Sequence, residues 1–355
     1  MAYTTINKST DHFNTVLYTG NTSGQSITGV GFQPDWLWVK SRSAAYQNSL
    51  RDSIRGSTKT LRSNGNNAEQ TQSDSVTSFD SDGFTLGADS NSFVNENGAT
   101  YASWNWKASG STASNSDGSI TSTVSVNTTA GFSIVKYTGN GNSTATIGHG
   151  LSVAPSMIIS KNLSTATNAD WCVYHKDLTT DKNLFLNLTS AEVTPSYGTI
   201  NAPTNSLINV TKGSGNQTNS AHDFIMYCFA EKTGYSKFGT YEGNNNSDGT
   251  FVYTGFKPAW LLVKAASGSQ TPQNQSWPIW DNKRSSSGGN NENSYKLYAN
   301  ATDAEATSAI AQVDLVSNGF KFRNSTHQSN SSNTYIYMAF GQSLVGSNNV
   351  PCTAR

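Results

Sequence analysis

Phe32-Gln-Pro-Asp-Trp-Leu-Trp-Val-Lys40 is a proline, a short apolar run and a lysine, and the chain returns to that pattern twice more. The later copies are Val153-Ala-Pro-Ser-Met-Ile-Ile-Ser-Lys161 and Phe256-Lys-Pro-Ala-Trp-Leu-Leu-Val-Lys264. Each run is short, rich in β-branched, aromatic and other apolar residues, and follows a proline, which reads as a strand rather than a helix. Pro34, Pro155 and Pro258 stand at the same distance before Lys40, Lys161 and Lys264, so the register is kept and the stretches are copies of one element.

Landmarks on either side keep step with this element. Tyr18-Thr-Gly-Asn21, Tyr137-Thr-Gly-Asn140 and Tyr241-Glu-Gly-Asn244 precede it. Leu50-Arg-Asp52, Trp171-Cys-Val-Tyr174 and Trp277-Pro-Ile-Trp-Asp281 follow, and then Leu61-Arg-Ser-Asn64, Leu184-Phe-Leu-Asn187 and Leu297-Tyr-Ala-Asn300. An aromatic run closes each copy: Tyr101-Ala-Ser-Trp-Asn-Trp106, Phe224-Ile-Met-Tyr-Cys-Phe229 and Tyr335-Ile-Tyr-Met-Ala-Phe340. Asp82-Gly83, Asp117-Gly118, Asp248-Gly249 and Asn318-Gly319 supply tight turns between strands. Helical periodicity is confined to short stretches at residues 67–72 and 300–311.

The pattern predicts an all-β protein of three tandem antiparallel β-sandwich domains, at residues 1–110, 111–233 and 234–355, each long enough to own a core. Residues 108–118, rich in Ser, Gly and Asn, read as a flexible linker between the first two units. Residues 231–237 leave little slack between the second and third, which are therefore expected to be held more rigidly together.

The composition excludes several functions. Of 355 residues only 13% are charged, 23 basic against 23 acidic, while 39 are Asn and 30 are Gly. A zero balance without a basic cluster gives no footprint for nucleic acid or an anionic membrane. Apolar residues at 35% and aromatic ones at 11% provide for a folded core. No apolar run is long enough to insert in a membrane, and no signal peptide is recognisable at the start of the sequence. Cys172, Cys228 and Cys352 lie outside any C-x-x-C arrangement, so neither a disulfide framework nor a zinc site is expected.

The residues that carry chemistry are equally spare. His12, His149, His175, His222 and His327 are scattered, and no nucleophile elbow, phosphate-binding loop or paired-carboxylate signature occurs. Asp80-Ser-Asp-Gly83 resembles the start of a calcium loop, but Asn91 stands where the bidentate Glu belongs, so a hairpin turn is the better reading. No catalytic residue, metal or cofactor is expected, and the protein reads as a non-enzyme. Trp36, Trp104, Trp106, Trp171 and Trp260 occupy strand positions that recur between copies, as core residues do. Trp277 and Trp280 flank Pro278 beside a loop-like stretch, and they are the candidates for stacking on a sugar ring.

Longer stretches add a resemblance. Met1-Ala-Tyr-Thr-Thr-Ile6, Ile27-Thr-Gly-Val-Gly-Phe-Gln-Pro-Asp35, Thr77-Ser-Phe-Asp-Ser-Asp-Gly-Phe84, Ile147-Gly-His-Gly-Leu151 and Cys228-Phe-Ala-Glu-Lys-Thr-Gly-Tyr-Ser-Lys-Phe-Gly239 resemble a family of bacteriophage virion proteins. Its members, notably from marine phages of cyanobacteria, are often described as tail-fibre-like or of unknown function. One departure is Gly341-Gln-Ser343, where Ala-Glu is expected as at Ala230-Glu231. The resemblance implies jelly-roll or concanavalin-like sandwiches in a structural protein of the virion surface. That protein would be made in the host cytoplasm, form a homo-oligomer and contact other capsid or tail proteins, as a capsid decoration, a head or tail appendage or a short fibre. The alternative is a lectin-like adhesin that binds host surface glycan.

Overall fold

The computed structural model describes residues 4–91, 93–267, 276–284, 291–306, 312–325 and 329–344. Among these the structure is all-β and antiparallel, with one 3-10 turn at Ser9–Asp11 and no α-helix. The aromatic run that closes each copy explains the sheets, because a strand with almost no polar face has to be covered on both sides. Thr100–Trp106 lies between Phe13–Thr19 and Trp36–Ser41, with Ser49–Asp52 beyond. Asp223–Phe229 lies between Phe132–Thr138 and Met157–Asn162, with Cys172–His175 and Leu184–Phe185 beyond. Thr334–Gly341 lies between Ser236–Glu242 and Pro258–Ala265, with Pro278–Asp281 and Leu297–Tyr298 beyond. The four strands common to these sheets follow the same order three times.

A smaller sheet covers one face of each of these. It comprises Gln25–Ile27, Gly83–Leu86 and Val76–Asp80 in the first repeat, and Thr144–Gly148, Leu207–Thr211 and Thr199–Asn201 in the second. In the third it comprises Phe251–Tyr253, Gly319–Phe322, Val313–Val316 and Glu292–Asn293. The hairpin at Asp82-Gly83 is held by its acids: Asp82 accepts from the backbone N–H groups of Gly29 and Gly31, and Asp80 from the hydroxyls of Ser78 and Thr85. A side chain on Gly83, at φ 150°, would run into the Ile27 carbonyl.

Strand alternation divides the buried residues between two kinds of core. Leu37 and Val39 face the first repeat's small sheet, as Phe224, Met226 and Cys228 do in the second and Leu261 and Val263 in the third. Trp36, Trp38, Ile225, Tyr227, Phe229, Trp260 and Leu262 point the other way, into one cluster drawn from all three repeats. Each unit therefore owns a core, as expected, and a fourth core is shared, because the other face of every large sheet is buried against the other two repeats.

The repeats close into a ring. The equivalent residues Trp106, Phe229 and Phe340 form a triangle, with ring centroids separated by 6.4 Å from Trp106 to Phe229, 5.7 Å from Trp106 to Phe340 and 6.1 Å from Phe229 to Phe340. Backbone hydrogen bonds run round this triangle in one sense: Glu69 N–H to Leu163 O at 2.9 Å, Glu192 N–H to Ala266 O at 2.8 Å and Glu305 N–H to Arg42 O at 2.7 Å. Each acceptor lies two residues beyond the motif lysine of the neighbouring repeat. The third seam, crossed by no peptide link, also brings Leu344 N–H to Asn7 O at 2.9 Å.

Two local expectations change as well. The stretch read as a flexible linker is anchored: the N–H groups of Ala108 and Gly110 donate to the Asp35 carboxylate, and Ala113–Asn115 adds an edge strand to the second repeat. The stretch at 67–72 contains the strand Gln70–Thr71, paired with Lys59–Thr60, and residues 300–306 are not helical. Residues 307–311 lie outside the described residues.

Candidate functional site

Trp277 and Trp280, expected to stack on a sugar, are each 1% exposed. The strand Pro278–Asp281, which Trp277 precedes and Trp280 belongs to, is buried at every position. Trp277 joins the shared core and its indole N–H donates to Phe185 O of the second repeat at 3.0 Å. Trp280 faces the third repeat's own core, with its ring centroid 6.2 Å from that of Phe322. A ring covered on both faces by protein has none to offer a sugar, so neither tryptophan is a ligand residue.

Trp277 belongs instead to a set of three seam donors. The backbone N–H groups of Asn48, Trp171 and Trp277 donate to Oδ1 of Asn64, Asn187 and Asn300 at 2.9–3.0 Å, which marks them as equivalent positions. Their side chains then cross the seams: Trp171 Nε1 to Arg62 O at 2.9 Å, Trp277 Nε1 to Phe185 O at 3.0 Å and Asn48 Nδ2 to Tyr298 O at 3.3 Å. The first repeat makes with an amide the bond that the others make with an indole.

Two buried ion-pair clusters sit at the same seams. Arg55 pairs with Asp52 at 2.5 Å and Glu69 at 3.2 Å, and Arg284 pairs with Asp281 at 2.6 Å and Glu305 at 2.8 Å. From the neighbouring repeat, the Tyr227 hydroxyl donates to Asp52 at 2.8 Å and the Trp104 indole to Asp281 at 2.9 Å. Burial opposes the charge on Arg284, but Asp281 and Glu305 outweigh it and raise its pKa. The second repeat has His175 and Leu178 at the corresponding positions, and burial pushes the His175 pKa down to about 3, so the imidazole is neutral.

The three motif lysines are buried too, and backbone carbonyls accept their hydrogen bonds. Lys40 Nζ donates to Tyr46 O and Thr302 O, both at 2.8 Å; Lys161 Nζ to Asn162 O at 2.9 Å and Ala169 O at 2.8 Å; and Lys264 Nζ to Ala265 O at 2.9 Å and Thr189 O at 3.2 Å. Burial lowers their pKa values to about 8, about 7 and about 7. Thr302 and Thr189 lie in neighbouring repeats, so two of the lysines tie seams.

On the outer surface one feature departs from the repeat. Phe251 and Tyr253 stand 46% and 61% exposed on either side of the inward Val252, which is 7% exposed. They project from the outward face of the third small sheet. Cross-strand register sets Phe251 opposite Lys321, which is opposite Asp314, and sets Tyr253 opposite Gly319. Lys321 pairs with Asp248 at 2.6 Å and Arg323 with Asp314 at 2.5 Å. The corresponding residues of the other copies are Ser26 and Thr28, and Thr146 and Gly148. Sequence reasoning passed over this pair because it weighed only tryptophans; the available signal was the appearance of aromatics where the other copies carry small or polar residues. A separate cleft of about 370 Å³ lies at the seam of the first and third repeats, lined by Phe13, Asn14, Thr15, Asn282 and Lys283 among others.

Residues 8–343 match the family described as Domain of unknown function (DUF7483), and the chain belongs to that family. No match was found among curated proteins or among solved structures.

Proposed function

We propose that this chain is a non-catalytic structural protein of a bacteriophage virion surface. In this reading it is three tandem sandwiches of jelly-roll or concanavalin-like type, acting by contacts with other capsid or tail proteins and with further copies of itself. The observation that carries it is the ring closure: the buried Asp52 and Asp281 with their arginines, two of the motif lysines, and the indole N–H groups of Trp104, Trp171 and Trp277 are engaged in joining the repeats. A scaffold built in this way holds three outward faces in fixed relation, which suits a surface assembly. Its uncharged polar composition keeps contacts effective where salt screens ion pairs. Mass spectrometry of purified particles and a particle reconstruction test the reading: the chain is expected on the exterior, and its absence from particles would refute it.

The second reading is a lectin-like adhesin of the virion that binds host surface glycan. The exposed pair Phe251 and Tyr253 favours it.

A further inference from the structure

We propose that the outward face of Phe251–Tyr253 is a saccharide platform, on which the two rings stack against the pyranose faces of a neutral polysaccharide. This rests on the adhesin reading and assigns its site and ligand class. Alternate positions on one strand put both rings on the same side of the sheet, about 6.6 Å apart along it. The ring faces carry negative quadrupole density, which attracts the C–H groups that a pyranose presents above and below its ring.

The surroundings select the ligand. Lys321, opposite Phe251 on the neighbouring strand, and its partner Asp248 add a donor and an acceptor to the same face for sugar hydroxyls. Each basic group there is matched by an acid, Lys321 by Asp248 and Arg323 by Asp314, and Glu292 stands opposite Asp314 at the end of the row, so the platform has no excess of positive charge with which to hold an anionic polymer. Gly319 adds no side chain next to Tyr253, and a Cβ there would run into the Val252 carbonyl and sit 3.1 Å from the Phe251 ring, so the position beside the two rings stays clear. A protein partner is the poorer fit. Stable interfaces bury about 800 Å² per partner around an apolar centre, whereas this face is two rings beside a row of charged groups. The fold does not need the aromatics, because Ser26 and Thr28 fill the same positions in the first repeat.

That equivalence supplies the test. Native gels of the full chain, cast with dextran, laminarin, galactomannan or alginate, compare the wild type with Phe251→Ser/Tyr253→Thr, and the single variant Tyr253→Thr guards against misfolding. Retardation by at least one neutral polymer is expected, weakened about tenfold or more in the double variant while its melting temperature is unchanged. Full retention of binding by the double variant overturns the platform but leaves the adhesin reading standing. Retardation by alginate alone overturns the neutral ligand class. No retardation by any of these polymers overturns the adhesin reading together with the platform, and loss of particle incorporation by the double variant in that case assigns the face to a protein neighbour.

Discussion

Trp106 and Phe340 meet edge to face with ring centroids 5.7 Å apart, although one closes the first repeat and the other the third. Each also touches Phe229 of the second, so removing either ring opens a cavity shared by all three repeats. Phe340→Ala is expected to cost about 3–5 kcal/mol. Calorimetry of the wild type is expected to show one transition, and residues 111–233 expressed alone to show none that is cooperative. Separate melting of the repeats would contradict the shared core.

The seam charges predict a rescue. Arg284→Leu leaves the buried Asp281 carboxylate without its cation and is expected to destabilise the protein by about 3–5 kcal/mol. Asp281→His/Arg284→Leu copies His175 and Leu178 of the second repeat, and it is expected to recover at least half of that loss in urea denaturation. A double variant no more stable than Arg284→Leu would show that the two arrangements are not interchangeable.

Stability should peak in mild alkali. Lys161 and Lys264 titrate at about 7 in the fold against 10.5 when free, so between those values the unfolded chain holds more protons and stability rises with pH. Tyr137, Tyr227 and Tyr241 are raised well above 10 by burial, so above that value the unfolded chain loses protons that the fold retains, and stability falls. On the acid side His175 resists protonation down to about 3 while its unfolded counterpart takes a proton near 6.5, and stability falls as the pH drops through that window. Melting temperatures from pH 4 to 11 check the profile. Lys161→Met/Lys264→Met is expected to flatten the rise above pH 7, and an unchanged rise would exclude the lysines as its source.

The thiols should be inert in the fold. Burial pushes Cys172 up to about 12 and raises Cys228 further, so neither forms the thiolate that alkylation requires. In a Cys352→Ser variant at pH 8, iodoacetamide is expected to label no cysteine of the native protein and both after unfolding. Rapid native labelling of Cys228 would mean that the second repeat's core opens.

The strands and their repetition were legible because proline, lysine and aromatic positions recur in register. The closing of the ring was not, because seam bonds such as Glu69 N–H to Leu163 O use backbone groups that every residue carries. Trp277 was misread from its loop-like neighbours, although its alignment with Trp171 already placed it among framework residues. Phe251 and Tyr253 were readable only by asking where one copy differs from the others, and Arg284 shows the same limit: a lone charge in the sequence does not announce that it is buried.

The bond from Leu344 to Asn7 makes the third seam a counterpart of the two that the chain crosses covalently. A circular permutant joined there and opened between the first and second repeats would trace the same ring in a different order. The architecture fixes who stands beside whom and is indifferent to which repeat is translated first.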